Sequence, residues 1–130
     1  MKNLYLCFSI CIMIFSCDSE NVISPDLNGK TAIRIQNVSP FKFENIVVNT
    51  QGGENMYGAL TSIQTSEYKL FDFAYRYAFV ELYIDGKVAT IQPIDFFGET
   101  KLDTGYYTYQ IGTTNSTNQH GRLSLTLVED

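Results

Sequence analysis

The 130-residue chain contains no tryptophan, one histidine and three cysteines, and the cysteines (Cys7, Cys11, Cys17) all lie within the first seventeen positions. Past Cys17 there is no thiol. A domain built from the remainder has no disulfide, no cysteine metal site and no thiol nucleophile. His120 has no second imidazole with which to hold a metal, and no Gly-x-Ser-x-Gly turn accompanies it as a nucleophile. The missing tryptophan removes the residue most used to stack on sugars. Cations are in the minority: the net charge is −5, which disfavours nucleic acid, whose binding rests on Lys and Arg neutralising phosphates. The apolar stretch from Leu4 to Phe15 is about a dozen residues, short of the roughly 20 a spanning helix needs. No cofactor is implied anywhere.

That stretch follows Met1-Lys2 and runs into Ile14-Phe15-Ser16-Cys17. A short positive head, a short apolar run and a small residue before the cut make a secretory leader. With Cys17 just after the cut, it resembles a bacterial lipoprotein lipobox. The resemblance implies a helical signal peptide over 1–16, cleavage between Ser16 and Cys17, and diacylglycerol on the Cys17 sulfur. The alternatives are an uncleaved amino-terminal anchor and an ordinary signal with Cys17 there by chance. One acyl chain holds a protein marginally, at about 0.8 kcal/mol per buried methylene, and two or three hold it for good. Residues 17–30 are acidic and polar and contain Pro25 and Gly29; they are expected to be a flexible tether. Acidic residues just after the cysteine resemble the surface-export signal of lipoproteins from Bacteroidota-like bacteria. Asp18 next to the cysteine also resembles the inner-membrane retention signal of enterobacterial lipoproteins; the expected location is the bacterial envelope, on the outer membrane at its periplasmic or surface face, with the membrane itself as first partner.

Residues 31–130 read as short strands separated by turns. Ala32–Asn37 puts Ile33 and Ile35 on one face. Phe43–Asn49 follows, with Ile46 and Val48 inward, and then a turn at Gln51-Gly52-Gly53-Glu54. Met56–Leu60 and Glu67–Phe73 are further strands. Asp85-Gly86 between alternating apolar residues signals a type I′ hairpin. It sets Ile84 opposite Lys87, Leu82 opposite Ala89 and Val80 opposite Ile91. A polar loop from Gly112 to Gly121 precedes a last strand, Arg122–Val128, with Leu123, Leu125 and Leu127 inward. The expected fold is all-β, an antiparallel β-sandwich of seven to eight strands, with a small closed barrel as the alternative.

Asp103-Thr104-Gly105-Tyr106-Tyr107 resembles the start of strand F in immunoglobulin-like domains, where the tyrosine hydroxyl bonds nearby backbone in a corner. Tyr107 is the matching residue. Tyr109 stands where an antibody domain has its second cysteine, so the resemblance extends to the wider sandwich class, immunoglobulin-like or transthyretin-like, and not to a true antibody domain.

Few side chains suggest chemistry. Asp95, Glu99 and Asp103 share one loop and could bind calcium through oxygen, although their spacing is not that of an EF-hand. Paired carboxylates also serve glycosidases, which need a deep cleft. Asn115-Ser116-Thr117 matches a glycosylation acceptor by chance composition. Tyr75, Tyr77, Phe79 and Tyr83 alternate, and Tyr77, Phe79 and Tyr83 form a possible binding surface, or else a cross-strand packing stripe. The expected function is a non-enzymatic, membrane-anchored accessory module that binds an envelope protein or polysaccharide. The alternatives are an inhibitor or immunity-type lipoprotein and a small hydrolase.

Overall fold

Eight strands occupy the chain in a computed structural model that describes residues 24–130: β1 (Thr31–Asn37), β2 (Phe43–Asn49), β3 (Glu54–Leu60), β4 (Lys69–Phe71), β5 (Phe79–Ile84), β6 (Lys87–Ile91), β7 (Gly105–Thr113) and β8 (Leu123–Glu129). The leader, Ser16 and Cys17 lie outside the described residues. The strands form two four-stranded sheets, ordered β4-β1-β7-β8 and β3-β2-β5-β6. The fold is therefore a sandwich and not a closed barrel. Its order departs from the ABED and CFG division of constant-type immunoglobulin domains.

Alternation builds the core. Ile33 and Ile35, then Val80, Leu82 and Ile84, and Tyr109 and Ile111 are buried between the sheets, with Leu125 and Leu127 partly buried against them. Phe43, Ile46 and Val48 are all inward on β2, although a regular strand cannot bury positions three apart on one face. An extra residue resolves this. Asn45 adopts φ 50° where the β2–β3 register shifts, making a bulge that returns Ile46 to the core. The Asp85-Gly86 hairpin has the anticipated register, and both residues have positive φ (50° and 75°), as a type I′ turn requires.

Two expectations change. The sandwich is not wholly antiparallel: β1 and β7 pair in parallel, Thr31 with Gly105 through Asn37 with Ile111. These strands lie 74 residues apart, and the other sheet supplies the crossover that parallel neighbours need, so no local turn marks the pair. The strand expected over Glu67–Phe73 shrinks to Lys69–Phe71. Past it, Phe73 and Thr50 are joined by a hydrogen bond that draws the chain away from the sheet.

The sandwich has two ends. At the base lie residues 24–30, the β2–β3 turn, the connection 72–78 and the loop 92–104. Lys30 pairs with Asp72 at 3.3 Å, Asp72 N–H donates to Gly52 O, Leu102 N–H donates to Ala74 O, and Thr104 Oγ1 donates to Gly29 O. Residues 24–30, the second half of the tether segment, are held in place. Asn28 and Gly29 both have positive φ in a turn closed by Lys30 N–H to Leu27 O, and Tyr106 OH donates to Pro25 O at 2.6 Å. At the tip lie the β1–β2 and β3–β4 connections and the Asp85-Gly86 turn.

Three tyrosines fasten the sandwich through their hydroxyls. Tyr57 OH crosses from β3 to donate to Ile33 O on β1 at 2.7 Å; Tyr109 OH donates to Tyr75 O at 2.6 Å. Tyr107 OH donates to Asp103 O at 2.8 Å, the corner geometry the sequence resembles. Burial pushes the Tyr57 phenol well above its usual range, with Tyr109 adding to the effect, and burial alone does the same to Tyr109. Folded phenols that keep their protons while unfolded ones lose them make stability full below about pH 10 and falling above it, by about 1.4 kcal/mol per pH unit for each phenol. Urea unfolding between pH 9 and 11 should show that loss. The Tyr57→Phe/Tyr109→Phe double variant should start lower by about 2 kcal/mol and decline with a shallower slope.

Candidate binding surface

The aromatic run is divided between two environments. Tyr75 is buried in the 72–78 connection, and Tyr77 precedes β5 instead of belonging to it. Phe96, from the 92–104 loop, lies over both: its ring centroid is 4.9 Å from that of Tyr75 and 5.3 Å from that of Tyr77, stacked on the latter. Tyr77 OH donates to Asp95 O at 3.2 Å. Lys101 Nζ sits 4.0 Å over Phe73 and closes the cluster. Tyr77 is thus partly roofed by its own chain. Phe79 and Tyr83 remain half-buried on the outer face of β5.

Registers across the β3-β2-β5-β6 sheet place that face in rows, since directly paired residues share a face. One row is Glu54, Asn49 and Phe79. The next is Met56, Val47, Glu81 and Thr90. The third is Glu44, Tyr83 and Val88. Each row holds one glutamate and at least one apolar side chain. Met56 is 69% exposed. Glu44 alone has a cation near, Lys42 at 3.2 Å. A shallow cavity of about 390 Å³ opens at the basal edge of the face between Phe79, Phe96, Pro93, Asn49 and Glu54. The face is apolar and acidic together.

A second surface, at the tip, has no local signal in the sequence. Asn37 is fully buried, and its side chain ties the β1–β2 connection to the end of β3. Asn37 O also accepts from Ile63 N–H at 2.8 Å, and Ser62 Oγ donates to Ser39 O. These bonds hold Val38, Phe41 and Ile63 outward, at 50%, 38% and 78% exposure. Ile63 has φ 72°, which a β-branched residue rarely adopts. Replacing it with asparagine, which tolerates that region, should raise stability by about 1 kcal/mol. Thermal unfolding of Ile63→Asn beside the parent checks the sign.

The remaining sequence candidates do not converge. His120 is exposed, and its Nδ1 lies 2.7 Å from Thr90 Oγ1, while Gln119 O accepts from Thr90 N–H; together they pin the β7–β8 loop to β6. Asp95 Oδ1 accepts from Phe97 N–H within its own turn. Among the described residues no three His, Cys, Asp or Glu side chains are placed to share a metal. Asn115, Ser116 and Thr117 are exposed in the β7–β8 loop. Among the described residues no helix is long and apolar enough to cross a membrane.

No protein-family model matches the chain, and no curated protein matches it. Among solved structures it is similar to the NMR structure of a protein from Eubacterium rectale, with a TM-score of 0.54 and 20% identity over 78% of this chain and 93% of the other. That likeness concerns the fold alone.

Proposed function

We propose that the chain is a lipid-anchored envelope module that binds a protein partner through the outer face of the β3-β2-β5-β6 sheet and carries out no chemistry of its own. The observation that carries this reading is the row pattern, which sets Phe79, Met56 and Tyr83 on the same outer sheet face as Glu54, Glu81 and Glu44, with Tyr83 directly opposite Glu44. Such a face suits a partner that offers apolar side chains ringed by Lys or Arg. Three carboxylates would repel the anionic groups of many envelope polysaccharides, which favours protein over glycan. The inhibitor alternative would use the polar loop between β7 and β8; its Gln119 and His120 are bonded to Thr90 and cover the β6 edge of the face, which restricts that loop and leaves β3, β2 and β5 as the open part of the surface.

The test has two arms. A photo-crosslinking phenylalanine analogue at Tyr83, introduced in cells, should yield one discrete adduct. The same analogue at Thr126, on the other sheet, should not. Glu81→Lys should lower the Tyr83 adduct at least about fivefold through like-charge repulsion. No adduct, or equal adducts at both positions, would overturn the surface. In the second arm, Cys17→Ser should move the protein out of the membrane fraction. Retention there would overturn the anchor.

A further inference from the structure

We infer that the loop 92–104 is a membrane-resting foot, with Ile94 and Phe97 dipping into the zwitterionic lipid surface to which the chain is anchored. The inference rests on the lipid-anchor reading above. Ile94 is 103% exposed and Phe97 94%, the two most exposed large apolar side chains among the described residues. They are held there by structure. Glu99 N–H donates to Phe96 O at 3.1 Å, and Gly98 has φ 81°, so Phe96–Glu99 is a turn of the type II kind with Phe97 at its corner. Asp95 Oδ1 accepts from Phe97 N–H at 2.8 Å. Phe96 turns the other way and packs on Tyr75 and Tyr77. One aromatic clamps the loop while the neighbouring one points away from the protein.

The loop lies at the base, the end where the described chain begins: Thr104 Oγ1 bonds Gly29 O, and Tyr106 OH bonds Pro25 O. Six residues, Asp18 to Ile23, separate the anchor at Cys17 from Ser24, a span of seven Cα–Cα steps. Fully extended they reach at most about 24 Å. A lipid on Cys17 therefore keeps this end within about 24 Å of the bilayer, and seating the loop 92–104 on the lipid would leave the tip, with Val38, Phe41 and Ile63, farther away. Charge selects the lipid. Asp95, Glu99 and Asp103 share the loop with a single cation, Lys101, so the foot suits phosphatidylcholine or phosphatidylethanolamine and is repelled by anionic headgroups.

The absence of tryptophan makes the test clean. Phe97→Trp and Ile94→Trp variants of the lipid-anchored protein are reconstituted in phosphatidylcholine vesicles, plain or carrying brominated acyl chains. Both should be quenched at least about twofold by bromine, since a resting side chain sits among the acyl boundary atoms. Phe41→Trp, at the tip, should be unchanged. Replacing a third of the lipid with phosphatidylglycerol should weaken the quenching. If the protein floats with the vesicles and both basal variants stay unquenched, or all three are quenched alike, the foot is overturned. If the protein does not float, the anchor reading fails instead. Coupling Cys17, the sole thiol from that position onward, to a maleimide lipid then still tests the loop by the same criterion.

Discussion

Replacing Asn37 with alanine is expected to lower the melting temperature by about 15 °C, corresponding to about 3–4 kcal/mol in a domain of this size. The carboxamide uses its whole capacity. Nδ2 donates to Phe41 O at 2.7 Å and to Leu60 O at 3.1 Å; Oδ1 accepts from Ser39 N–H at 2.9 Å and Ser39 Oγ at 2.7 Å. The residue is fully buried and Ser39 nearly so, so water cannot replace these bonds without opening the tip. Each orphaned buried group costs about 1–3 kcal/mol. Asn37→Asp separates the hydrogen-bonding account from a volume effect. An aspartate of the same size cannot donate to two carbonyls, so it should be at least as unstable as alanine at neutral pH. It should regain part of the loss on acidification, when protonation returns one donor. Urea unfolding at pH 7 and pH 4 reads both. A loss under about 1 kcal/mol for alanine at pH 7 would show that solvent reaches the site.

The same residue shows where sequence reasoning runs out. Alternation in Ala32–Asn37 sets Ile33 and Ile35 inward, and extending it by two puts Asn37 inward too. An asparagine beside Ser39-Pro40 looks like a turn residue, however, because the acceptors that satisfy it, Phe41 O and Leu60 O, come from folded backbone and leave no mark on composition. The β5–β6 hairpin was legible to the residue because its two determinants, a turn with two positive φ values and a period-2 pattern, lie within fifteen positions of each other. The β1–β7 pairing had no such local cause. The bulge at Asn45 was hidden for a related reason: Ile46 and Val48 fit simple alternation, and only the burial of Phe43 demands the extra residue.

The candidate surface was legible in part. Phe79 and Tyr83 do lie on an outer face, as the aliphatic Val80-x-Leu82-x-Ile84 series required. Tyr77 is separated from them because Phe96, nineteen residues on, stacks against it. The two phenylalanines Phe96 and Phe97 are identical in type and adjacent, yet one is half-buried and the other 94% exposed. Only the turn closed at Glu99 decides which is which. The glutamate rows likewise exist across strands: Glu54, Glu81 and Glu44 come from three different strands, and pairing alone puts them on one face.

Gly52→Ala is expected to cost about 3 kcal/mol, more than any other single-methyl addition in the domain. A Cβ at Gly52 would stand 2.2 Å from Phe73 O, 2.5 Å from Phe73 N and 2.8 Å from Phe73 C, all backbone atoms that no rotamer change can move. Relief requires the β2–β3 turn to lift away from the 72–73 segment. That movement breaks Asp72 N–H to Gly52 O at 2.9 Å and Thr50 Oγ1 to Phe73 O at 2.8 Å, and it disturbs Gly52 N–H to Thr50 Oγ1 at 3.2 Å. The neighbouring glycine supplies the control. Gly53 has φ 147°, but the nearest atom to its added Cβ is a Phe71 ring carbon at 3.6 Å, an ordinary contact. Gly53→Ala should therefore cost only the backbone strain, about 1 kcal/mol. Because the 72–73 segment that loses these bonds leads directly into Tyr75 and Tyr77, Gly52→Ala should also loosen Phe96 from its stack, whereas Gly53→Ala should not. Amide hydrogen exchange across 92–104 reads that difference. Equal protection of the loop in both variants would mean that the turn and the aromatic clamp are independent, and that the base is held from the β7 side alone.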